Sequence, residues 1–159
     1  MENLYEVMVS LLGQGENFAV ATLFDKTGSA PRSDGAKMVL RADGSIAGTI
    51  GGGRLEAEAI GLAKEMIAAR KTVVHSFNLT SRDAAGSDMI CGGVGEILID
   101  FIDAGDANNL KVYTEAADIV KRGKRGWLIT IYAERKTGLA QTNHPSVLNV
   151  HFHEDNTIY

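Results

Sequence analysis

The sequence predicts an α/β fold, a single domain with a mixed β-sheet that contains an antiparallel hairpin and is flanked by helices. Three observations lead to this prediction. Strand-like and helix-like segments alternate along most of the chain, and the dipeptide Asp43-Gly44 separates two segments of strand character. The chain has 159 residues, of which 45% are hydrophobic, enough for one domain with a real core. Because the hairpin must be antiparallel, a purely parallel sheet is excluded.

The first half of the chain supplies two helices and three strands. Glu2 to Gly13 carries apolar residues at helical spacing and is followed by a Gly-Gln-Gly stop. Phe18 to Phe24 is a continuous apolar run of strand length, typical of a central strand covered on both faces. Lys37 to Arg41 and Ser45 to Ile50 form the arms of the hairpin, and Leu55 to Arg70 has one apolar helical stripe.

The second half continues the alternation. Val73 to Leu79 and Val94 to Ile102 are predicted strands, Asn109 is expected to cap a helix that ends near Lys121, and Trp127 to Ala133 is a further strand. Residues 1–133 are therefore expected to form the main domain. Residues 134–159 are predicted to be a C-terminal extension of strand and turn, in which Val147 to His153 alternates.

Charge and composition restrict the function. The net charge of −4 argues against a nucleic-acid binder. Between Asp25 and Arg54, however, five basic residues stand against three acidic ones, a local charge of +2 that suits a small anion. The N-terminus lacks a signal-peptide pattern and no apolar run is long enough to span a bilayer, so we expect a cytoplasmic protein without membrane association. The single cysteine fits a reducing compartment.

The first candidate site is the glycine-rich segment before the second helix. Gly51, Gly52 and Gly53 let the backbone approach a ligand, and N–H groups at a helix start favour an anion, so ligand contact by this segment and Arg54 is predicted over a flexible connector. Neither the Walker A pattern nor the GxGxxG fingerprint is present. Glu56 is a possible metal ligand or base, but compensation of the helix dipole is the favoured role.

A second candidate lies between the apolar strand and the hairpin. Pro31 restricts the backbone of this loop, so that Ser29 and Arg32 are presented in a set orientation, and Arg32 offers a planar fork to a phosphate. Taken alone, the loop is better interpreted as a surface turn with a solvated arginine.

The third candidate is Cys91, which is followed by Gly92 and Gly93. A buried thiol and an approachable thiolate that binds a metal or carries sulfur are equally compatible with this context. His75 shares a strand face with Val73 and Phe77 and is predicted to be a core histidine.

Two separated motifs resemble those of a known family. The segment GSAPRSDGAKMVLRADGSIAGTIGGGRLEAE, followed by DMICGGVGEILIDFI, closely resembles the N-terminal region of the XdhC/CoxI family, over residues 5 to 102 and more loosely to Ala133. Members of that family are maturation factors for xanthine dehydrogenase, carbon monoxide dehydrogenase and related molybdenum hydroxylases. The resemblance implies a protein that binds the molybdenum cofactor, a molybdopterin, as cargo, protects it, presents it for sulfuration and passes it to the apo-enzyme.

The resemblance also implies which residues contact the cofactor. They are Ser29, Pro31, Arg32, Gly51, Gly52, Gly53 and Glu56 in the first motif, and Cys91, Gly92 and Gly93 in the second. Cys91 is then a possible molybdenum ligand or sulfur carrier, or it only packs. The implied partners are an apo molybdenum hydroxylase, a cysteine desulfurase and a second copy of the chain in a homo-oligomer.

The resemblance is incomplete in one respect. Longer members of the family continue into a C-terminal Rossmann-like domain with a glycine-rich nucleotide fingerprint, and residues after Ala133 contain no such fingerprint. We therefore expect either a short form or the N-terminal part of a larger protein. Two alternative functions remain open: a nucleotide-dependent oxidoreductase or transferase that uses Cys91 as nucleophile, and a non-catalytic dimerisation or interaction domain.

Overall fold

A computed structural model describes residues 3–28, 35–78, 93–133 and 146–152. Helices and strands alternate along this part of the chain, as the sequence predicts. In chain order the elements are α1 (Leu4–Gly13), β1 (Phe18–Gly28), β2 (Lys37–Arg41), β3 (Ile46–Gly48), α2 (Gly53–Ala69), β4 (Val73–Asn78), β5 (Gly93–Ile102), α3 (Ala107–Lys121), β6 (Trp127–Ala133) and β7 (Ser146–Phe152).

The main sheet has five strands in the order β3-β2-β1-β5-β4, with β1 at its centre. The α/β class, the flanking helices and the hairpin are confirmed, and the hairpin closes where expected because the N–H of Gly44 bonds to the carbonyl of Arg41. Every strand pair within the described residues is antiparallel. The parallel pairs that a mixed sheet would add are therefore not found in this part of the chain.

Both faces of β1 are buried, as its continuous apolar sequence predicts. Ala19, Ala21 and Leu23 point into a cluster formed with α2, whereas Phe18 and Val20 point into a second cluster formed with α1 and α3. Phe18 and Leu23 are almost fully buried, and removing such a side chain from water stabilises the fold by about 1.5–3 kcal/mol. The five-stranded sheet is thus covered by α2 on one face and by α1 with α3 on the other.

The directions of the strands determine which loops lie together. β3 and β4 run in the same direction as β1, since each is separated from it by one antiparallel strand. The glycine segment that follows β3 therefore lies at the same end of the sheet as the last residues of β1 and β4. At that end Gly28 of β1 pairs with Gly93 of β5.

A separate two-stranded sheet is formed by β6 and β7, which pair from Trp127 opposite Phe152 to Ala133 opposite Ser146. Leu128 of β6 packs against the cluster under α1 and α3. The two strands of this sheet come from opposite sides of residue 133, where the sequence predicts the end of the main domain. The division into residues 1–133 and 134–159 stays a prediction.

Two properties of the helices bear on the sequence prediction, the N-cap of α3 and the ability to span a membrane. The N-cap of α3 is Asp106, whose carboxylate accepts the N–H of Asn108 at 2.9 Å. The prediction of Asn109 as the cap was wrong, because Asn109 lies inside the helix and donates its side-chain amide to the carbonyl of Asp103. None of the helices in the described residues combines the length and the apolar character needed to cross a bilayer.

Candidate functional site

The structure describes only part of the predicted site. Gly51, Gly52, Gly53, Arg54 and Glu56 lie together in the loop between β3 and α2 and in the first turn of α2, and Gly93 is the first residue of β5. The remaining predicted site residues are outside the described residues; they are Ser29, Pro31, Arg32, Cys91 and Gly92.

The glycine loop, residues 49–53, has a backbone that only glycine adopts readily. The φ angles of Gly51, Gly52 and Gly53 are 136°, 81° and 64°, three consecutive values in the region that side chains with a Cβ rarely occupy. At Gly52 an added Cβ would meet no atom within 4 Å, so this side of the loop faces open space. The glycines are thus required by the chain path, and they leave one surface of the loop accessible.

The inner side of the glycine loop is held by the carboxylate of Glu56. Its Oε1 accepts the N–H of Ile50 at 3.1 Å, the N–H of Gly52 at 2.9 Å and the hydroxyl of Thr49. The Thr49 hydroxyl oxygen also accepts the N–H of Gly51 at 3.2 Å. One oxygen atom of α2 therefore collects three donors from the loop that precedes the helix.

These contacts change the acidity of Glu56. Partial burial by itself would raise the pKa of this carboxyl, but the hydrogen bonds from Thr49 and from the N–H groups of Gly52, Ile50 and Gly51 lower it, and the net effect is a pKa below the ordinary value. Glu56 is consequently an anion at neutral pH, placed beside the positive end of the helix dipole.

The internal carboxylate limits how the glycine loop can bind a ligand. The N–H groups of Ile50 and Gly52 already have an anionic acceptor, so an external anion must either approach the open side of the loop or displace Glu56. Thr49 was not predicted from the sequence, because a hydroxyl seven residues before a glutamate matches no standard capping pattern. A glutamate in the first turn after three glycines was the available signal.

Arg54 of α2 and His75 of β4 both approach the carboxylate of Glu58. The guanidinium of Arg54 bonds to the carboxylate of Glu58 at 2.7 Å, one helical turn later. The other oxygen of that carboxylate is 4.0 Å from the imidazole of His75, whose side chain is 45% exposed. The prediction of a core histidine was wrong, because β4 is an edge strand and its α2-facing side is open to solvent at this position.

Strand register limits where the two predicted motifs meet. Gly48, at the end of β3, is level with Met38 and Ala21, whereas Gly93 is level with Gly28, seven residues further along β1. At about 3.3 Å per residue this corresponds to a separation of up to ~23 Å along the strands. Gly35 is closer to the glycine loop, since its N–H bonds to the carbonyl of Leu23.

A second polar cluster, not predicted from the sequence, lies on the opposite face of the main sheet. Lys37 donates to the hydroxyl of Thr22 at 2.9 Å, and the buried carboxylate of Asp100 accepts the hydroxyl of Thr72 at 3.0 Å. Burial lowers the pKa of Lys37, and the charge of Asp100 opposes this shift. Within the described residues, no group of three or more histidine, cysteine, aspartate or glutamate side chains is arranged to hold a metal ion.

Comparison with known proteins gives three findings. The sequence model of the XdhC and CoxI family matches residues 11–78. The uncharacterized protein YqeB of Escherichia coli (strain K12) is 38% identical over 99 residues, which are 61% of this chain and 18% of YqeB. The crystal structure of a xanthine dehydrogenase from Bacillus halodurans superimposes with a TM-score of 0.69 and 21% identity, over 99% of this chain and 44% of the other.

These findings differ in what they establish. At 21% identity the Bacillus halodurans structure shows that the fold is shared, and the present chain spans less than half of that protein and about a fifth of YqeB. The family match covers β1, the hairpin, the glycine loop, α2 and β4. Residues 11–78, which contain the glycine loop and Glu56, therefore match the XdhC and CoxI family in sequence.

Proposed function

We propose that the protein is a maturation factor for a molybdenum hydroxylase such as xanthine dehydrogenase. In this proposal it binds the molybdenum cofactor as cargo, protects it, and assists its sulfuration and insertion into the apo-enzyme. The observation that carries the proposal is the family match at residues 11–78, because the matched segment contains the complete glycine loop. The protein is a cofactor carrier in this account, and the molybdopterin is its substrate.

The geometry of the glycine loop supports a role in holding an anion. Three successive glycines with positive φ bring the main chain to the surface, and the space beside Gly52 is open. Glu56 holds the loop in place from the inner side before any cargo binds, so that cargo binding does not incur the entropy cost of ordering the loop. We infer that the phosphate of the molybdopterin approaches the open side and that Glu56 organises the loop without contacting the molybdenum.

The basic residue that contacts the phosphate of the cargo is inferred from which basic side chains the fold already engages. Among the five basic residues between Asp25 and Arg54, Arg41 bonds to Glu16 and Arg54 bonds to Glu58, while Lys37 donates to Thr22. These three side chains are engaged by the fold. Of the other two, Lys26 and Arg32, only Arg32 has a guanidinium, the planar fork that suits a phosphate, so Arg32 is the proposed main contact, with Ser29 and Pro31 shaping its loop.

Cys91 is the proposed sulfur-handling residue. A thiolate binds molybdenum or carries sulfur, and the two residues that follow Cys91 in the sequence are glycines, which have no side chain to screen it. In this proposal Cys91 and Arg32 contact the same cargo molecule. The proposal includes a cysteine desulfurase as sulfur donor, the apo-hydroxylase as recipient, a cytoplasmic location and a homo-oligomeric state.

The proposal is tested by cargo retention in variants. The full chain, Arg32→Ala, Cys91→Ser and the control Lys71→Ala are purified from a host grown with molybdate, and molybdenum and pterin are measured per mole of protein. Lys71 is an exposed cation next to the opposite end of α2. We expect Arg32→Ala to lose pterin and molybdenum together, Cys91→Ser to lose mainly molybdenum or its sulfur, and Lys71→Ala to match the natural chain. Unchanged retention in both site variants would refute the assignment of these residues.

A further inference from the structure

The outward face of β6 is apolar and exposed. Trp127, Ile129 and Ile131 alternate along the strand and are 75%, 38% and 49% exposed, whereas the intervening Leu128, Thr130 and Tyr132 are half-buried. A contiguous row of large aromatic and branched aliphatic side chains is rarely exposed to solvent without a binding role. This row, with the positions that pair with it, is referred to below as the β6 face.

The pairing partner extends the β6 face. The register places Phe152 opposite Trp127, Val150 opposite Ile129 and Leu148 opposite Ile131. Directly opposite positions of an antiparallel pair belong to the same face of a sheet. The residues at these six register positions are all apolar in sequence.

A basic segment borders the β6 face. Residues 121–125 read KRGKR, four cations in five residues of a chain with a net charge of −4, and all four side chains are exposed. Arg122 pairs with Asp118 at 2.9 Å. For Lys124 and Arg125, no carboxylate within ion-pair distance is found in the part of the chain that the structure describes. Among the described residues, the edge of the apolar face thus carries two cations that no carboxylate pairs with.

A groove connects the basic segment to the apolar face. Its volume is about 560 Å³, and it is lined by residues of α1, α3 and β6 together with Lys124, Arg125 and Trp127. Tyr5, Ile119 and Leu128 make the groove predominantly apolar. A cavity of this size accommodates one or two bulky side chains of a partner, the arrangement found at the energetic centre of protein interfaces.

We propose that the β6 face, the groove and residues 121–125 form a docking site for an acidic segment of a partner protein that carries a bulky apolar anchor. The anchor fills the groove beside Trp127, and the acidic side chains lie along the basic segment. The site is on the face of the main sheet covered by α1 and α3, opposite the face covered by α2 and its glycine loop. It therefore lies across the sheet from the glycine loop, and the docking proposal does not depend on the proposed cargo.

Two other occupants fit the surface less well. A bilayer surface is flat on this scale and leaves a concave groove unfilled, whereas a protruding side chain fills it. A second copy related by a two-fold axis would present the same patch to itself and bring both basic segments to one interface, where like charges oppose association. An acidic partner is complementary to the apolar face and to the charge at once.

The single tryptophan of the chain makes the proposal directly measurable, because Trp127 lies in the proposed site. The emission of the full chain is recorded while a 16-residue peptide of glutamates with leucine and phenylalanine anchors is added. A peptide with lysine at every glutamate position is the charge control. The titration is repeated with Lys124→Glu/Arg125→Glu and with the matched double variant Lys64→Glu/Lys71→Glu, which makes the same charge change on the exposed surface of α2 and after it.

The proposal expects a saturable blue shift with the acidic peptide, a dissociation constant about tenfold weaker in Lys124→Glu/Arg125→Glu, and a dissociation constant in Lys64→Glu/Lys71→Glu within about twofold of the natural chain. An absent shift, or equal binding of both peptides, would overturn it. A larger shift with phosphatidylserine vesicles than with the peptide would also overturn it. So would a blue shift of Trp127 emission that grows with protein concentration in the absence of peptide, because a second copy would then occupy the β6 face.

Discussion

Replacing Glu56 by alanine should destabilise the protein more than replacing any other carboxylate of α2. The substitution removes the acceptor of three donors: the N–H of Ile50, the N–H of Gly52 and the hydroxyl of Thr49. A hydrogen bond to a charged group contributes about 1.5–3 kcal/mol when its partners are buried. Because Glu56 is half-buried and water can reach part of the loop, we expect a total loss of about 2 kcal/mol in the free energy of unfolding rather than the full sum.

The matched control is Glu58→Ala. It removes the same charge two residues later on the same helix, but Glu58 contacts Arg54 and His75 at the surface and holds no backbone N–H of the loop. An exposed ion pair of this kind contributes about 0–1 kcal/mol. The free energy of unfolding is measured by urea titration followed by far-ultraviolet circular dichroism, with thermal unfolding as a second measurement.

A loss of about 2 kcal/mol corresponds to a decrease in Tm of roughly 4–8 °C for a chain of this length. Glu56→Gln should lie between the natural chain and Glu56→Ala, since the amide oxygen still accepts but carries no charge. If Glu56→Ala and Glu58→Ala were equally stable, the claim that the Glu56 carboxylate organises the glycine loop would be refuted.

Two further predictions concern packing and pH. Gly95→Ala should lower the free energy of unfolding, measured in urea, by about 1–3 kcal/mol, because an added Cβ would lie 2.5 Å from Cζ of the buried Phe77. The control is Gly61→Ala on α2, where an added Cβ would meet no atom within 4 Å and should stabilise the protein by up to about 1 kcal/mol. Equal effects of the two substitutions would contradict the packing of Phe77 against β5. The pKa of Glu56 is lowered in the folded state, so its contribution is complete above its ordinary value of 4.5 and is lost as the pH falls through the folded value. The natural chain should therefore lose more stability than Glu56→Gln between about pH 5 and about pH 3, and parallel pH profiles would show that Glu56 does not titrate as described.

Much of the fold was predictable because its strongest signals are local. The run from Phe18 to Phe24 is apolar at every position but one, as a strand buried on both faces requires, and Asp43-Gly44 marks a turn by its backbone preference. The antiparallel pairing of β1 with β5 was not predictable, since the two strands are separated by more than sixty residues and their sequences do not encode direction.

The errors have physical causes. Alternation correctly assigned His75 to the face of β4 that looks toward α2, but it cannot reveal that β4 is an edge strand where that face is open. Asp106 and Asn109 are both suitable cap residues, and the choice between them depends on the exit of the chain from β5. The role of Glu56 depends on a loop folding back onto its helix, which periodicity does not record. Contacts of Arg32 and Cys91 with the cargo stay predictions.

The central claim is that this chain carries the molybdenum cofactor. The most direct measurement is the molybdenum and pterin content of the purified full chain, isolated from a host grown with molybdate and compared with the same chain from a host that cannot synthesise molybdopterin. The account predicts molybdenum and pterin in equal amounts, approaching one per chain, in the first preparation and neither in the second. Absence of both from the first preparation, or molybdenum without pterin, would contradict it.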